Sequence, residues 1–246
     1  ILKSTYQEFA YTNPKKAKKY VDALIQKASD EQNRIEKYTA FLLKSSSESY
    51  FGNMQTSLQY IDSTITFANT NKNNDLYTKA LSEKGRTYFN FGKYKEATNY
   101  YLQLDSFARE THNVRYQIYS NNSIASIKNI LGDHKGAVEL HLKNKEILTP
   151  IVEEENYQTL YLNMLIGLIS AYTYFDVDKA AENLPELNTF SITYKDNDAL
   201  SYYYTLQAIV DYERKNYEEA LGAYHDLRKK LQGKLPSSIK PKEVKE

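Results

Sequence analysis

A short turn followed by a helix-opening segment with a small residue at a fixed place recurs about every 40 residues, and no other feature of the chain restricts its fold as much. The clearest copy runs Leu81-Ser82-Glu83-Lys84-Gly85-Arg86-Thr87-Tyr88, then Phe89-Asn90-Phe91-Gly92-Lys93-Tyr94-Lys95-Glu96-Ala97, then Tyr100-Tyr101. With Ala97 as the anchor, equivalent residues fall at Ala17, Ser57, Ala137, Ala181 and Ala220, at spacings of 40, 40, 40, 44 and 39. Each is preceded by a turn: Thr12-Asn13-Pro14, Gly52-Asn53-Met54, Gly92-Lys93-Tyr94, Gly132-Asp133-His134, Asp176-Val177-Asp178 and Lys215-Asn216-Tyr217. Self-similarity at such a period is the signature of stacked supersecondary units. The anchor is small because two antiparallel helices joined by a short turn cross near it, where a large side chain would force them apart.

The units are expected to be helical. Gly (8) and Pro (5) are scarce in 246 residues, so few backbone breakers interrupt the elements. Tyr77–Phe91 and Val114–Leu131 read as first helices of a hairpin, Tyr94–Arg109 and Lys135–Leu148 as second helices. Asn13-Pro14 is the N-cap and first position of another second helix. The first unit has only Ile1–Tyr11 for its first helix, short or truncated. The longer fifth unit places Glu153-Glu154-Glu155-Asn156 in a wide loop or a solvated helix start. Pro185 lies within a second helix and is expected to shorten or bend it at Leu184–Asn188. Gly233 and Pro236 are expected to close the last helix of an array spanning 1–232. Residues 233–246 then form a linker, a frayed tail or, from Lys240, the start of a seventh unit. The chain opens Ile1-Leu2-Lys3 rather than on Met, so preceding sequence is expected, and with it any leader or anchor.

A small residue mid-helix (Gly85), an aromatic three later (Tyr88), a glycine turn (Gly92), Tyr94-Lys95-Glu96-Ala97 and a second aromatic together resemble the tetratricopeptide (TPR) repeat. The resemblance implies an all-α fold, an α-α superhelix or TPR-like solenoid of about six antiparallel helical hairpins. The basic repeat has about 34 residues, so a period near 40 gives each helix roughly one further turn. Units two and five lack the Tyr-x-x-Ala wording.

No chemistry of an enzyme is apparent, and no cofactor is implied. The chain has no Cys, which removes disulfides, thiol nucleophiles and thiolate metal sites. Glycine-rich phosphate loops, His-Glu-x-x-His and nucleophile-elbow patterns are absent from the sequence. Of the four histidines, His112 falls in a loop, and His134 and His141 stand where other units carry Tyr94 or Tyr217 and Tyr101 or Tyr224, a packing role. Asn121-Asn122-Ser123 matches a glycosylation sequon but lies within an expected helix. Charge is balanced, 32 Lys+Arg against 31 Asp+Glu, which gives no electrostatic case for nucleic acid. No stretch approaches the ~20 apolar residues of a membrane span. Tyrosine is abundant at 24, with no Trp, and most of these rings are expected between helices.

In the repeat family the first helices line the binding groove. Its groove positions map in unit three to Lys79, Ser82, Arg86, Phe89 and Asn90, and in unit four to Tyr119, Asn122, Ser126, Asn129 and Ile130. In unit five they map to Asn163, Ile166, Ser170, Thr173 and Tyr174, and in unit six to Tyr202, Thr205, Ile209, Tyr212 and Glu213. Unit two supplies Thr39, Leu42, Ser46, Ser49 and Tyr50. The set is Asn, Ser, Thr and Tyr with one cationic spot at Lys79 and Arg86. Asn pairs with a peptide backbone as donor and acceptor at once, and Tyr gives contact area at low entropy cost. The expected partner is a protein or peptide, with no direct nucleic-acid contact, and a homodimer is a further possibility. Long repeats of this type resemble those of bacterial regulators: the peptide-pheromone receptors of Gram-positive bacteria, or Bacteroidetes regulators whose extracytoplasmic array precedes a membrane helix and a DNA-binding domain. The resemblance leaves the compartment open between cytoplasm and the outer side of a membrane. A structural adaptor or assembly scaffold is the other reading.

Overall fold

The computed structural model describes residues 2–9 and 12–232, so the expectations for Gly233–Ser238 and Lys240–Glu246 lie outside the described residues. Among the described residues are twelve α-helices and no strand. They are α1 (Leu2–Phe9), α2 (Pro14–Asp30), α3 (Arg34–Tyr50), α4 (Met54–Thr70), α5 (Asn74–Asn90), α6 (Tyr94–Glu110), α7 (Val114–Ile130), α8 (His134–Leu148), α9 (Glu155–Tyr172), α10 (Val177–Thr193), α11 (Asn197–Glu213) and α12 (Tyr217–Gln232). The chain divides into two compact units, Ile1–Ser123 and Ile124–Glu246. In each, consecutive helices pack as antiparallel hairpins, the all-α, TPR-like solenoid arrangement the repeat implies.

One turn chemistry builds nearly all the joints. Helices α2 to α7 each hold 17 residues and are separated by three. The middle turn residue has positive φ: Gln32, Gly52, Lys72, Gly92, His112 and Gly132, and later Lys195 and Lys215. The third donates its N–H to the carbonyl five residues back, as Asn33 does to Ala28 at 2.8 Å and Asn113 to Ala108 at 2.7 Å. The second bonds three back, as Gln32 does to Ser29 at 3.2 Å, which completes a Schellman C-cap. That third residue is also the N-cap of the next helix. The side chains of Asn33, Asn73, Asp133 and Asp176 each accept the N–H three residues on. The 40-residue period is thus two 20-residue helix-and-turn modules, and its excess over the basic repeat lies in the helices.

The fifth unit departs from this module. After α8 a 3₁₀ turn, Thr149–Ile151, and the stretch up to Glu154 carry the extra residues, with Glu153 and Glu154 in the connection and Glu155 opening α9. The α9–α10 turn spans four residues, 173–176, none of them at positive φ. The expected anchor Ala181 is therefore off by one: Ala180 is fully buried at the fourth position of α10, as Ala17, Ser57, Ala97 and Ala137 are in their helices, and Ala181 is half-buried. The expected break at Pro185 does not shorten the helix. α10 runs through it from Val177 to Thr193, because Pro185 is on the exposed face, where water can serve the carbonyl its missing N–H leaves unpaired.

Packing within each unit follows the anchors. Tyr101 lies so close over Gly85 that a Cβ there would sit 2.6 Å from the ring, and His141 covers Gly167 in the same way at 2.5 Å. Tyrosines fill the interhelical layer: Tyr38 stacks on Phe67 at 4.1 Å and Tyr88 on Tyr100 at 5.3 Å. Lys44 reaches Asp22 at 2.5 Å and, 40 residues on, Lys84 reaches Asp62 at 2.6 Å, one ion pair used twice. Glu48 is buried beside Lys18, Lys44 and Asn53. Burial works to raise its carboxyl, but the Asn53 amide and the two lysines outweigh it and hold the group below its ordinary range. The sequon residue Asn121 is only 4% exposed and Ser123 Oγ donates to the Tyr119 carbonyl, so the folded chain does not present it for glycosylation.

Candidate interaction face

First helices of successive hairpins touch one another, α3 with α5 in one unit and α9 with α11 in the other, so each unit carries a row of first helices. The mapped positions divide between the two units and differ in character.

In the first unit the row is polar apart from Tyr50, which ends α3 and is 64% exposed, and the charges of Lys79 and Arg86 are already paired. Lys79 bonds Asp75 at 2.7 Å one turn away, and Ser82 Oγ donates to the Lys79 carbonyl at 2.8 Å. Arg86 forks onto Glu83, with Nε at 3.1 Å and Nη2 at 2.5 Å from the same oxygen. Arg86 Nη2 also donates to Ser46 Oγ at 2.6 Å, and that hydroxyl donates to Glu83 at 2.7 Å. The cationic spot expected at Lys79 and Arg86 is therefore neutralised within the helices that carry it. Glu83, whose carboxylate organises this cluster, was not among the mapped positions. Its one signal in the sequence is its place three residues before Arg86, on the same helix face. Phe89 leans edge-on against Tyr94 at 5.7 Å, and Asn90 is exposed. Tyr119 packs edge-on to Tyr101 at 6.1 Å and to Tyr116 at 6.2 Å. Burial raises the Tyr119 phenol, so this ring belongs to the packing more than to a presented face. Asn122 is half-buried on the same helix.

The second unit presents large rings. Tyr174 is 65% exposed and Tyr212 62%, with Tyr202, Ile209 and Ile130 also exposed. The Tyr174 ring stacks on the His134 imidazole, centroids 4.0 Å apart and planes within 2°. His134 Nδ1 lies 2.5 Å from Asn129 Oδ1. Two mapped residues, Asn129 and Tyr174, thus meet through a histidine that opens the second helix between them. Tyr212 meets Tyr217 edge-on at 5.6 Å, the same first-to-second-helix contact that Phe89 and Tyr94 make. Ser126, Asn163 and Thr205 are exposed, and Ser170 and Thr173 half-buried, with Thr173 Oγ1 donating to the Ser170 carbonyl. His141 is buried and burial alone depresses its pKa to about 4, so it is neutral in the folded chain at pH 7. Among the described residues no group of three or more His, Asp or Glu side chains is placed to hold a metal ion, and no helix is long and apolar enough to cross a membrane.

No family model matches the chain, and no curated protein matches it in sequence. Solved structures do match in fold. BtubC (BKLC) from P. vanneervenii superposes with a TM-score of 0.75 over 95% of this chain and 97% of its own, at 13% identity. A kinesin light chain of nearly identical TPR-like repeats from Podosopora anserina gives 0.64 over 81% of this chain and 97% of its own, at 16% identity. A Rap protein complexed with competence and sporulation factor gives 0.59 over 90% of this chain and 60% of its own, at 15% identity. At these identities the likeness is one of fold: the chain has the TPR-like helical-repeat architecture.

Proposed function

We propose that the chain is a non-enzymatic protein- or peptide-binding repeat module, the sensory or interaction part of a larger bacterial regulatory protein. The observation that carries this reading is the exposed ring set of the second unit: Tyr202 and Tyr212, with Ile209 between, on α11, and Tyr174 in the turn that follows α9. Scattered exposed apolar residues are ordinary, but large side chains at the positions from which this fold binds need a reason. Tyrosine combines contact area, a hydroxyl and few rotatable bonds. Asn163 on α9 and Thr205 on α11 are exposed and suit an extended backbone, which offers donors and acceptors in turn. The pairing of Lys79 and Arg86 within their helices argues against a phosphate-backbone ligand. The regulatory part of the proposal is supported by the Rap protein, solved with competence and sporulation factor bound, of which this fold makes up only part.

The test is display of a random peptide library against the full chain, then titration of a recovered peptide. Tyr202→Ala and Tyr212→Ala are each expected to weaken it at least about tenfold, ~1.4 kcal/mol, with helicity unchanged. Recovery of no peptide, or binding indifferent to both changes, sinks the proposal.

A further inference from the structure

A helix covered by its neighbours is ordinarily apolar where it is covered, as α9 is: its buried residues are Leu, Ile, Met, Ala and Tyr. The second half of α3 is not. Lys44, Ser45, Ser47, Glu48 and Ser49 are all buried, and no apolar residue stands among them. The apolar packing of α3 lies in its first half, where Ala40 and Leu43 join one cluster and Tyr38 and Leu42 another. The matching stretch of α5 ends in Tyr88 and Phe89, whose rings pack on Tyr100 and Tyr94, and α3 has Glu48 and Ser49 in those places. Thr87 of α5 bonds the anchor Ser57, while Ser47, at the same place in α3, has Ala17 as its anchor and no partner.

What holds residues 44–50 is polar. Toward α2, Lys18 lies 3.0 Å and Lys44 3.4 Å from Glu48, and Lys44 reaches Asp22 at 2.5 Å. Toward α5, Ser46 Oγ donates to Glu83 at 2.7 Å and accepts from Arg86 at 2.6 Å. Buried ion pairs of this kind gain little beyond the cost of taking their charges out of water. The Ser47 and Ser49 hydroxyls are buried without a partner among the described residues, a cost that water removes as soon as the segment opens. Local stability follows buried apolar contact, and this stretch has almost none.

We propose that α3 is a helix in two parts: residues 34–43 stay packed while residues 44–50 open locally, a conformational joint built into the first unit. The segment carries the mapped positions Ser46, Ser49 and Tyr50, so its opening withdraws that end of the row, whatever the module binds. Residue-resolved hydrogen exchange of the full chain tests this, with α5 as the control, since it has the same length and the same glycine turn after it. Amides 48–51 are expected to exchange at least about tenfold faster than amides 88–91, at a rate that does not rise with urea below the unfolding transition, the mark of local opening. Ser47→Ala and Ser49→Ala should each slow that exchange severalfold and leave amides 38–43 unchanged. Equal protection of the two stretches overturns the proposal. So does exchange at 48–51 that climbs with urea like the rest of the chain, or that neither serine variant slows.

Discussion

Ser57 is the one polar residue among the small anchors, and its Oγ lies 3.2 Å from Thr87 Oγ1, both groups buried. Ser57→Ala strands the Thr87 hydroxyl and is expected to cost about 1–3 kcal/mol, most of it recovered when Thr87→Val is added. Urea denaturation of the single and double variants measures this, and a double variant no more stable than the single contradicts the pairing. Ser47 holds in α3 the place Thr87 holds in α5, but its anchor is Ala17 and its buried hydroxyl has no partner, so Ser47→Ala is expected to stabilise the chain. His141 gives a pH dependence of known sign. Its folded pKa, about 4, lies below the ordinary 6.5, so the unfolded chain binds the extra proton between them and stability falls as pH drops through that window. Thermal unfolding between pH 4 and 7 should lose that share of its slope in His141→Leu. The small anchors and the histidines in tyrosine places were legible from sequence, because close approach and ring packing impose residue type directly. The pairing of Arg86 with Glu83 and Ser46 was not, since it depends on rotamers and on a neighbouring helix.

The three-residue turns are the repeated element, and their middle residue is glycine at three joints and a residue with a side chain at five. Gly52, Gly92 and Gly132 join the two helices of a hairpin, as Lys215 does between α11 and α12, while Gln32, Lys72, His112 and Lys195 join one hairpin to the next, all at positive φ. A side chain there carries strain of about 1 kcal/mol that glycine avoids. Lys72→Gly and His112→Gly are accordingly expected to raise the unfolding midpoint, and Gly92→Ala to lower it, by about that much. A loss on Lys72→Gly would show that its side chain contributes more than the strain removes. Pro185→Ala, which restores one helical hydrogen bond on the exposed face of α10, is expected to stabilise by up to about 3 kcal/mol. The period and the turns were readable because Asn, Asp and Gly serve as caps. The one-residue error at Ala181 arose where the chemistry changes: the α9–α10 turn has four residues and no left-handed one, so nothing in its wording marks where α9 stops.

At the scale of the whole chain, a single helix-and-turn module accounts for two compact units whose first-helix faces differ. One is mostly polar, with Lys79 and Arg86 paired within their helices and Tyr50 as its exposed ring, and the other presents Tyr174, Tyr202 and Tyr212. The mapping from the repeat family found the rings of the second unit, because register along a helix decides exposure. It did not reveal that Tyr119 would turn into the packing or that His134 would join Asn129 to Tyr174, since both depend on contacts between helices. The central claim is that binding belongs to the first helices. Hydrogen–deuterium exchange of the full chain with a display-recovered peptide bound measures this directly. Added protection over α9 and α11 is the expected result, with α10 and α12 unchanged, and protection confined to the second helices would contradict the account.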